Sequence, residues 1–197
     1  PKGVSLVPED TGRPYIRVTD FKNHGVKRDG VLFVPRGYED IIRPYRISAR
    51  DVYISIAGTI GLVGQVPKQL DDANLTENAA KIVVEREGIL PRYVMYALAS
   101  HACQDQIAKA TAKNAQPKLA LTRIEQILLP LPSTLDEQQE AVAVLDAISR
   151  KVDLHRRKRA ILDELFKTLL HKLMTGEIRV ADLDLSALGE VAASELR

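Results

Sequence analysis

The sequence contains a single cysteine, Cys103, among its 197 residues. One cysteine cannot form an internal disulfide and supplies too few thiolates for a zinc site, so we expect a small buried residue on a helix. The chain also lacks a run of about 18 apolar residues and a basic, apolar leader, which argues against a membrane span and a secretory signal. These absences favour a cytoplasmic protein with no membrane partner.

Motifs for catalysis are also missing. Gly58, Gly61 and Gly64 have the spacing GxxGxxG rather than GxGxxG and lie between two predicted strands, which favours a tight β-turn over a dinucleotide or S-adenosylmethionine cradle. We find no phosphate-binding lysine loop, no Asp-Pro-Pro-Tyr or Asn-Pro-Pro-Phe tetrapeptide for amino-group methylation, and no carboxylate-plus-lysine set for a metal nuclease. The histidines stand apart from Cys103 and from one another, so surface or packing roles are favoured for His24, His101, His155 and His171. The sequence predicts a protein that is not an enzyme and holds no metal or cofactor itself.

The sequence does contain enough apolar residues for a core, and its positive charge is concentrated in the first two-thirds of the chain. At 45% apolar residues, the chain can bury one core and carry an extension. Residues 13–50 hold nine Lys and Arg against four acids, and residues 101–123 hold four against one, whereas residues 135–197 hold ten against twelve. This distribution suits a polyanionic partner, although a patchy solvated surface would give the same counts.

The periodicity of the first two-thirds predicts an α+β class. Short β-branched and aromatic runs predict strands and turns in the first 87 residues, namely PYIRVTDF, GVLFVPRGY, YRISARDVYISIAGTIGLVGQV and AAKIVVERE. Over about 91–110, apolar residues recur every three or four positions, which predicts one amphipathic helix. Strands followed by a helix, rather than alternating with helices, indicate a mixed α/β domain over residues 1–132.

A long helix is predicted after this domain, within a segment 133–180 that precedes a tail 181–197. Thr134 and Glu137 have capping-box spacing, and Gly176 stands where a C′ glycine would end the helix. The helix should contain about 40 residues and be roughly 60 Å long. Steps of four and three residues, typical of a coiled coil, define a seam of Ala141, Leu145, Ile148, Val152, His155, Arg159, Leu162, Phe166, Leu169 and Leu173.

This seam requires a partner helix, because a helix of that length cannot be covered by its own domain. His155 and Arg159 interrupt its apolar character beside the basic run RRKR. Buried polar residues at such positions fix register and partner. In the alternative reading, Arg159 snorkels and the basic cluster is solvated.

Six segments, taken in order, resemble the DNA-specificity (S, HsdS) subunit of type I restriction-modification systems. They cover roughly residues 12–181: GRPYIRVTDF, SARDVYISIAGTIGLVGQV, NLTENAAKI, YVMYALAS…QDQI, NAQPKLALTRIEQILLPLPSTLDEQQEAVAVLDAI and LFKTLLHKLMTGEIRV. Each motif is weak alone. Their conjunction is specific, above all Gly58-Thr59 with Gly61, Asn78, Gln116, the Leu-Pro-Leu-Pro step, Glu137-Gln138 and the closing Leu-Met-Thr-Gly.

The resemblance implies a target recognition domain that reads one half of a bipartite site in double-stranded DNA. The helix that follows would form an antiparallel coiled coil, act as a ruler between two recognition domains and provide docking surface for DNA methyltransferase (M) subunits. Those subunits would hold S-adenosylmethionine, whereas a restriction and motor (R) subunit would hold ATP, Mg and the nuclease.

The sequence departs from the usual family pattern because it carries one recognition domain and one helix instead of two of each. It could be a half-length subunit that pairs with a second copy, or the second half of a longer chain. The start at Pro1 favours a segment missing upstream.

Two loops best combine base-reading and phosphate-binding side chains. FKNHGVKR and TAKNAQPK each offer Asn or Gln beside Lys or Arg, which suits pairing with adenine and neutralisation of phosphate. For Gln116, Thr59 and Asn78, a structural role in the shared family pattern is an equal alternative. The predicted DNA-binding set is Arg17, Thr19, Lys22, Asn23, Lys27, Arg28, Arg43, Thr59, Asn78, Lys113, Asn114, Gln116 and Lys118.

Two functions from different classes follow from these patterns. The first is a DNA-recognition subunit without catalytic activity. The second is a protein-protein dimerisation or adaptor module whose basic patches are incidental. Neither the target bases nor the spacer length is encoded in a recognisable pattern.

Overall fold

The computed structural model describes residues 4–111 and 117–183. It divides into two units between Ser149 and Arg150. The first unit contains the strands, four shorter helices and the beginning of a long helix, and the second contains the rest of that helix and a 3-10 turn, Val180–Asp182. The predicted α+β class, with a long helix after a mixed domain, is confirmed. Most of the predicted tail 181–197 lies outside the described residues.

The strands are short and lie within the first 87 residues, as the runs of β-branched residues predict. In chain order they are β1 (Pro14–Ile16), β2 (Phe21–Lys22), β3 (Gly25–Val26), β4 (Leu32–Phe33), β5 (Arg46–Ile47), β6 (Val52–Ser55), β7 (Val63–Gly64), β8 (Ala73–Leu75) and β9 (Ala79–Ile82).

These strands form two sheets and a hairpin. The four-stranded sheet has the order β4-β1-β8-β5, in which only the β1 and β8 pair is parallel, so it is mixed. The three-stranded sheet is antiparallel, with the order β7-β6-β9, and β2 pairs with β3 alone. The hairpin between β6 and β7 and the turn between β8 and β9 carry much of the family pattern.

Strand β6 is buried along its whole length because its two faces contribute to different cores. Val52 and Ile54 pack in a cluster with Met95 and Leu98 of the helical layer, whereas Tyr53 belongs to a second cluster with Ile16 of the four-stranded sheet. Successive side chains of a strand point to opposite faces, so a single strand joins the helices to the mixed sheet.

The helices are α1 (Glu39–Ile42), α2 (Pro91–Ala99), α3 (His101–Ala110), α4 (Leu121–Ile124) and α5 (Leu135–Met174). The prediction of a single helix over 91–110 is wrong, because α2 and α3 are separated at Ser100. The Ser100 backbone is extended, its hydroxyl donates to the Ala97 carbonyl at 2.7 Å, and the same oxygen caps α3 by accepting from the Cys103 amide. Serine favours such caps because its side chain competes with helical hydrogen bonds.

The long helix α5 starts and ends as its sequence predicts. The Thr134 hydroxyl accepts from the Glu137 amide and the Glu137 carboxylate accepts from the Thr134 amide, both at 3.2 Å, which is the predicted capping box. Gly176 adopts a φ of 76° just beyond the last helical residue, Met174, and the Ile178 amide donates to the Lys172 carbonyl. Glycine takes this left-handed conformation without a Cβ penalty, so it stops the helix.

Candidate nucleic-acid interface

The tip of the β2–β3 hairpin presents the first group of predicted DNA-binding residues. Asn23 and His24 form the two-residue turn, and both have positive φ, at 52° and 59°. A two-residue turn with both positions left-handed matches the twist of a hairpin, and Asn tolerates this conformation well. Lys22 and Asn23 are exposed at the tip.

The His24 side chain fixes this tip to the next hairpin. Its Nδ1 lies 3.0 Å from the Val63 carbonyl oxygen, and its backbone carbonyl accepts from the Gln65 amide at 3.1 Å. The imidazole also meets the Tyr96 ring edge-on, with 5.9 Å between the ring centres. His24 therefore has a packing role, in keeping with the sequence prediction.

Arg17 holds the turn that leads into the β2–β3 hairpin. Its Nε and one terminal nitrogen donate to the two carboxylate oxygens of Asp20 at 2.9 and 2.8 Å, and these bonds raise the pKa of Arg17. The buried Asp20 in turn accepts from the Arg17 amide, and its carbonyl accepts from the Lys27 amide. A guanidinium held by two parallel bonds has fewer donors for phosphate, so Arg17 is better suited to positioning the loop than to binding DNA.

Several other predicted DNA-binding residues are exposed near this hairpin or on a separate turn. Thr19 precedes β2, and Lys27 and Arg28 follow β3. Arg43 lies on the 3-10 turn Arg43–Tyr45, which leads into β5.

The glycine loop between β6 and β7, residues 56–62, connects two antiparallel strands and contains a turn at Ile60 and Gly61. The Ser55 hydroxyl donates to the Thr59 carbonyl and accepts from the Leu62 amide, which ties the loop across its base. Gly58 and Gly61 have φ of 74° and 87° there. The Thr59 backbone is thus held by Ser55, and its side chain is exposed.

Three segments that are distant in sequence meet beside this loop. The Asn78 carbonyl accepts from the Ile56 and Ala57 amides, and Lys118 forms a β-bridge with Ala57. Thr59, Asn78 and Lys118 are thereby brought to one edge of the first unit, and all three are exposed. Thr59 and Asn78, which belong to the family pattern, are held here through their backbone groups. The side chains of Asn78 and Lys118 remain accessible to a ligand.

A cavity of about 320 Å³ joins the hairpin tip to the glycine loop. Lys22, Asn23 and His24 form one side and Gly61 and Leu62 form another. Gln104 of α3 closes it, with its side-chain amide donating to the Gly61 and Leu98 carbonyls at 3.0 and 2.8 Å. The first predicted DNA-binding loop and the glycine loop therefore border one concave surface. Lys113, Asn114 and Gln116 of the second predicted loop lie outside the described residues.

The start of α5 is fixed to the first unit by a buried glutamine. The Gln138 side chain accepts from the Leu90 amide at 3.0 Å and donates to the Gly88 carbonyl at 2.9 Å. Only 3% of Gln138 is exposed. The family motif Glu137-Gln138 therefore combines a helix cap with a side chain that satisfies two backbone groups. The sequence pattern does not indicate this role, because a glutamine next to a capping box is expected to face solvent.

Two turns further along α5, Asp146 makes a second attachment. One of its carboxylate oxygens accepts from Arg92 at 2.7 and 2.9 Å and from the Tyr96 hydroxyl at 2.6 Å. The guanidinium also lies over the Tyr96 ring, 5.2 Å from its centre. Burial raises the pKa of Tyr96, and the bond to Asp146 acts in the same direction. The sequence pattern does not indicate this trio, because its members lie on two helices and are about 50 residues apart.

The seam of α5 remains largely open to solvent in the single chain. Leu145 and Ile148 are 37% and 54% exposed in the first unit, and Leu162 and Phe166 are 52% and 67% exposed in the second. Val152, His155 and Arg159 are also exposed, whereas Leu169 and Leu173 are half-buried. The apolar surface of such a seam is removed from water only when another helix covers it.

The remaining sequence predictions concern single residues and spans. Cys103 is fully buried on α3, as predicted. Among the described side chains, no group of three or more His, Cys, Asp or Glu is placed to hold a metal ion. None of the helices in residues 4–111 and 117–183 combines the length and apolarity of a membrane span.

Comparison with known proteins identifies the family. The family model described as the type I restriction modification DNA specificity domain matches residues 6–164. This match covers most of the chain, which therefore belongs to that family. It extends across the strands, the shorter helices and the first three-quarters of α5.

One curated relative and two solved structures are similar to this chain at low sequence identity. The specificity subunit of the type I restriction enzyme MjaVIII from Methanocaldococcus jannaschii is 22% identical over 188 residues, which cover 86% of this chain and 44% of the relative. The HsdS subunit from Thermoanaerobacter tengcongensis has the same fold, with 19% identity, a TM-score of 0.57 and coverage of 88% of this chain and 45% of that one. A chain in a structure concerning complex assembly and conformational transition of the type I R-M system gives 18% identity, a TM-score of 0.60 and coverage of 92% and 48%. The chain spans less than half the length of each of these proteins.

Proposed function

We propose that this chain is the sequence-specific DNA recognition part of a type I restriction-modification complex, reads one half of a bipartite site and has no catalytic activity. One observation carries this proposal: a single DNA-specificity family model spans both the domain with the exposed loops and most of α5. S-adenosylmethionine, ATP and Mg would belong to partner subunits. A protein that reads chromosomal DNA in this way would act in the cytoplasm.

In this proposal, residues 1–132 are the target recognition domain. The exposed side chains of Lys22, Asn23, Thr59, Asn78 and Lys118 support it, because they border one cavity or share one edge. Amide side chains on loops can pair with base edges, and surrounding lysines can neutralise phosphates. On the sequence alone, Lys113, Asn114 and Gln116 are included in the proposed DNA-binding set.

The segment 133–180 would serve as spacer and docking helix. The exposed seam supports antiparallel pairing with an equivalent helix, supplied by a second copy or by the other half of a longer chain. Leu154 and Ile161 lie outside the seam and are 66% and 68% exposed. Apolar residues at such positions are suited to contacts with methyltransferase subunits. The length of the helix would set the distance between two recognition domains.

Binding to a random duplex at two salt concentrations tests the DNA-binding part of the proposal. Phosphate contacts release counterions, so a chain that makes six or more of them should lose roughly a thousandfold or more in affinity between 50 and 200 mM salt. The double variant Lys113→Ala with Lys118→Ala should weaken binding to specific and random duplexes alike, whereas Asn114→Ala should reduce discrimination at one position.

The alternative, a protein-protein adaptor, predicts a different pattern in the same titration. An adaptor would assemble through the α5 seam and show no salt-sensitive affinity for duplex DNA. That result, or methyl transfer by the purified chain alone with S-adenosylmethionine, would reject the proposed function.

A further inference from the structure

The middle of α5 carries a concentration of positive charge that neither the seam nor the recognition loops explain. Residues 150–159 contain six Lys and Arg against one acid, Asp153, and we call these six residues the basic belt: Arg150, Lys151, Arg156, Arg157, Lys158 and Arg159. The fifteen helical residues before the belt contain four acids and no Lys or Arg. The fifteen after it contain two of each sign. The charge is thus confined to the central quarter of the helix.

The belt extends to the face of α5 that lies opposite the seam. At 100° per residue, Arg150 and Arg157 fall on the side away from Val152, His155 and Arg159, seven residues and about 10.5 Å apart along the axis. All six belt residues are exposed. Covering the seam with a partner helix would leave Arg150 and Arg157 accessible. These two residues are therefore available to a third molecule.

The position of the belt matters because α5 has equal lengths on either side of it. An antiparallel partner that overlaps the whole helix brings the middles of the two helices together, so two copies of this chain would place two belts side by side. Like charges so close repel each other, and a bound polyanion relieves this repulsion while it releases the cations condensed on itself.

We propose that the basic belt contacts the DNA backbone in the unread spacer between the two half-sites. The proposal rests on the proposed function, since it requires the chain to bind a bipartite site. DNA is favoured as the occupant by charge complementarity, because six of the ten residues at 150–159 are Lys or Arg, and one exposed apolar side chain, Leu154, lies between the outward-facing Arg150 and Arg157. Such contacts would be independent of sequence, which suits a segment of DNA that is spanned but not read.

Salt-dependent binding of the full chain to a 40-base-pair duplex of random sequence tests this inference. Each phosphate contact contributes about 0.9 to the slope of log affinity against log salt, so Arg150→Gln with Arg157→Gln should lower that slope by up to about 2. The affinity lost between 50 and 200 mM salt should then be about tenfold smaller than for the unmodified chain. The matched control, Lys167→Gln with Arg179→Gln, removes the same charge outside the belt and should change the slope little.

The outcomes separate this inference from the proposed function. If the unmodified chain shows no salt-sensitive binding, the proposed function fails. If it binds and both double variants keep its slope, or both lower it equally, only the belt proposal is overturned. An unchanged DNA slope together with lost assembly with the methyltransferase subunit would make the belt a protein contact and would also overturn the proposal. Helix content measured by circular dichroism checks that each variant is folded.

Discussion

At the scale of single residues, Gly64 allows the two hairpins of the first unit to pack closely. A Cβ at this position would collide with the Tyr53 hydroxyl and would lie 2.6 Å from the backbone carbon of His24. Tyr53 cannot move aside easily, because its hydroxyl donates to the Gly25 carbonyl and its ring stacks on Phe21 at 3.9 Å. The third glycine of the GxxGxxG pattern thus serves close approach rather than a turn.

Gly64→Ala should therefore destabilise the protein by about 1–3 kcal/mol through overpacking. Gly25→Ala is the matched control, since its Cβ would meet only the Lys22 carbonyl at an ordinary 3.6 Å. Urea denaturation of both variants measures the difference. Equal stability of the two would contradict the close packing described for Gly64.

Ionisation of Tyr53 should lower the free energy of unfolding at alkaline pH. Burial raises the pKa of its phenol above the ordinary value of 10.0. The folded state therefore disfavours the phenolate, and the stability that the neutral phenol provides is present below about pH 10 and lost as the pH rises beyond it.

The free energy of unfolding should accordingly fall as the pH rises above about 10, and it should fall less steeply in Tyr53→Phe, which has no phenol to ionise at this position. At neutral pH the same substitution should cost about 1 kcal/mol for the lost hydrogen bond to Gly25. Parallel pH profiles for the two proteins would exclude Tyr53 as a source of the alkaline loss.

At the scale of elements, the attachment of α5 depends on a side chain that its sequence context does not reveal. Gln138→Ala leaves the Leu90 amide and the Gly88 carbonyl without their partner, which should lower the free energy of unfolding by about 2 kcal/mol or more. The adjacent Gln139 is exposed, so Gln139→Ala should change it by less than about 0.5 kcal/mol. Thermal denaturation of the pair measures both, and similar midpoints would contradict the role assigned to Gln138.

Local signals explain which elements the sequence could predict. The capping box of Thr134 and Glu137, the seam and Gly176 all act within one helix, so their spacing was enough to place α5 from Leu135 to Met174. The strand β8 was not among the predicted runs, because it has only three residues and includes the buried polar Asn74. The break at Ser100 was missed since the apolar spacing continues across it.

The sequence predicted only part of the candidate interface, because its patterns report local signals and not contacts between distant segments. Loop composition pointed to Lys22 and Asn23, and both border the cavity. The meeting of Asn78 and Lys118 beside the glycine loop depends on backbone pairing between distant segments, which composition cannot indicate. The engagement of Arg17 by Asp20 likewise follows from the folded turn.

At the scale of the whole molecule, assembly should depend on the seam of α5. Leu162→Glu with Phe166→Glu should abolish pairing, because each buried Leu or Phe side chain contributes roughly 1.5–3 kcal/mol and a carboxylate in the seam would be desolvated. Sedimentation velocity measures the assembly state, and circular dichroism should show that the recognition domain stays folded.

Leu154→Glu with Ile161→Glu is the matched control for this assembly experiment. Both residues are exposed apolar positions on the same helix but lie outside the seam. The control should pair like the unmodified chain. If it lost pairing while the seam variant kept it, the assignment of the seam would have to be abandoned.

Mapping of methylated sites tests the central claim most directly. The chain is co-expressed with its neighbouring methyltransferase subunit in cells that contain no other system of this type, and methylation is read across the genome. We expect methylation at a two-part sequence with a fixed unread spacer, and its loss when the chain is omitted. Methylation at the same sites without the chain, or no methylation with it, would contradict its role as the DNA-recognition subunit.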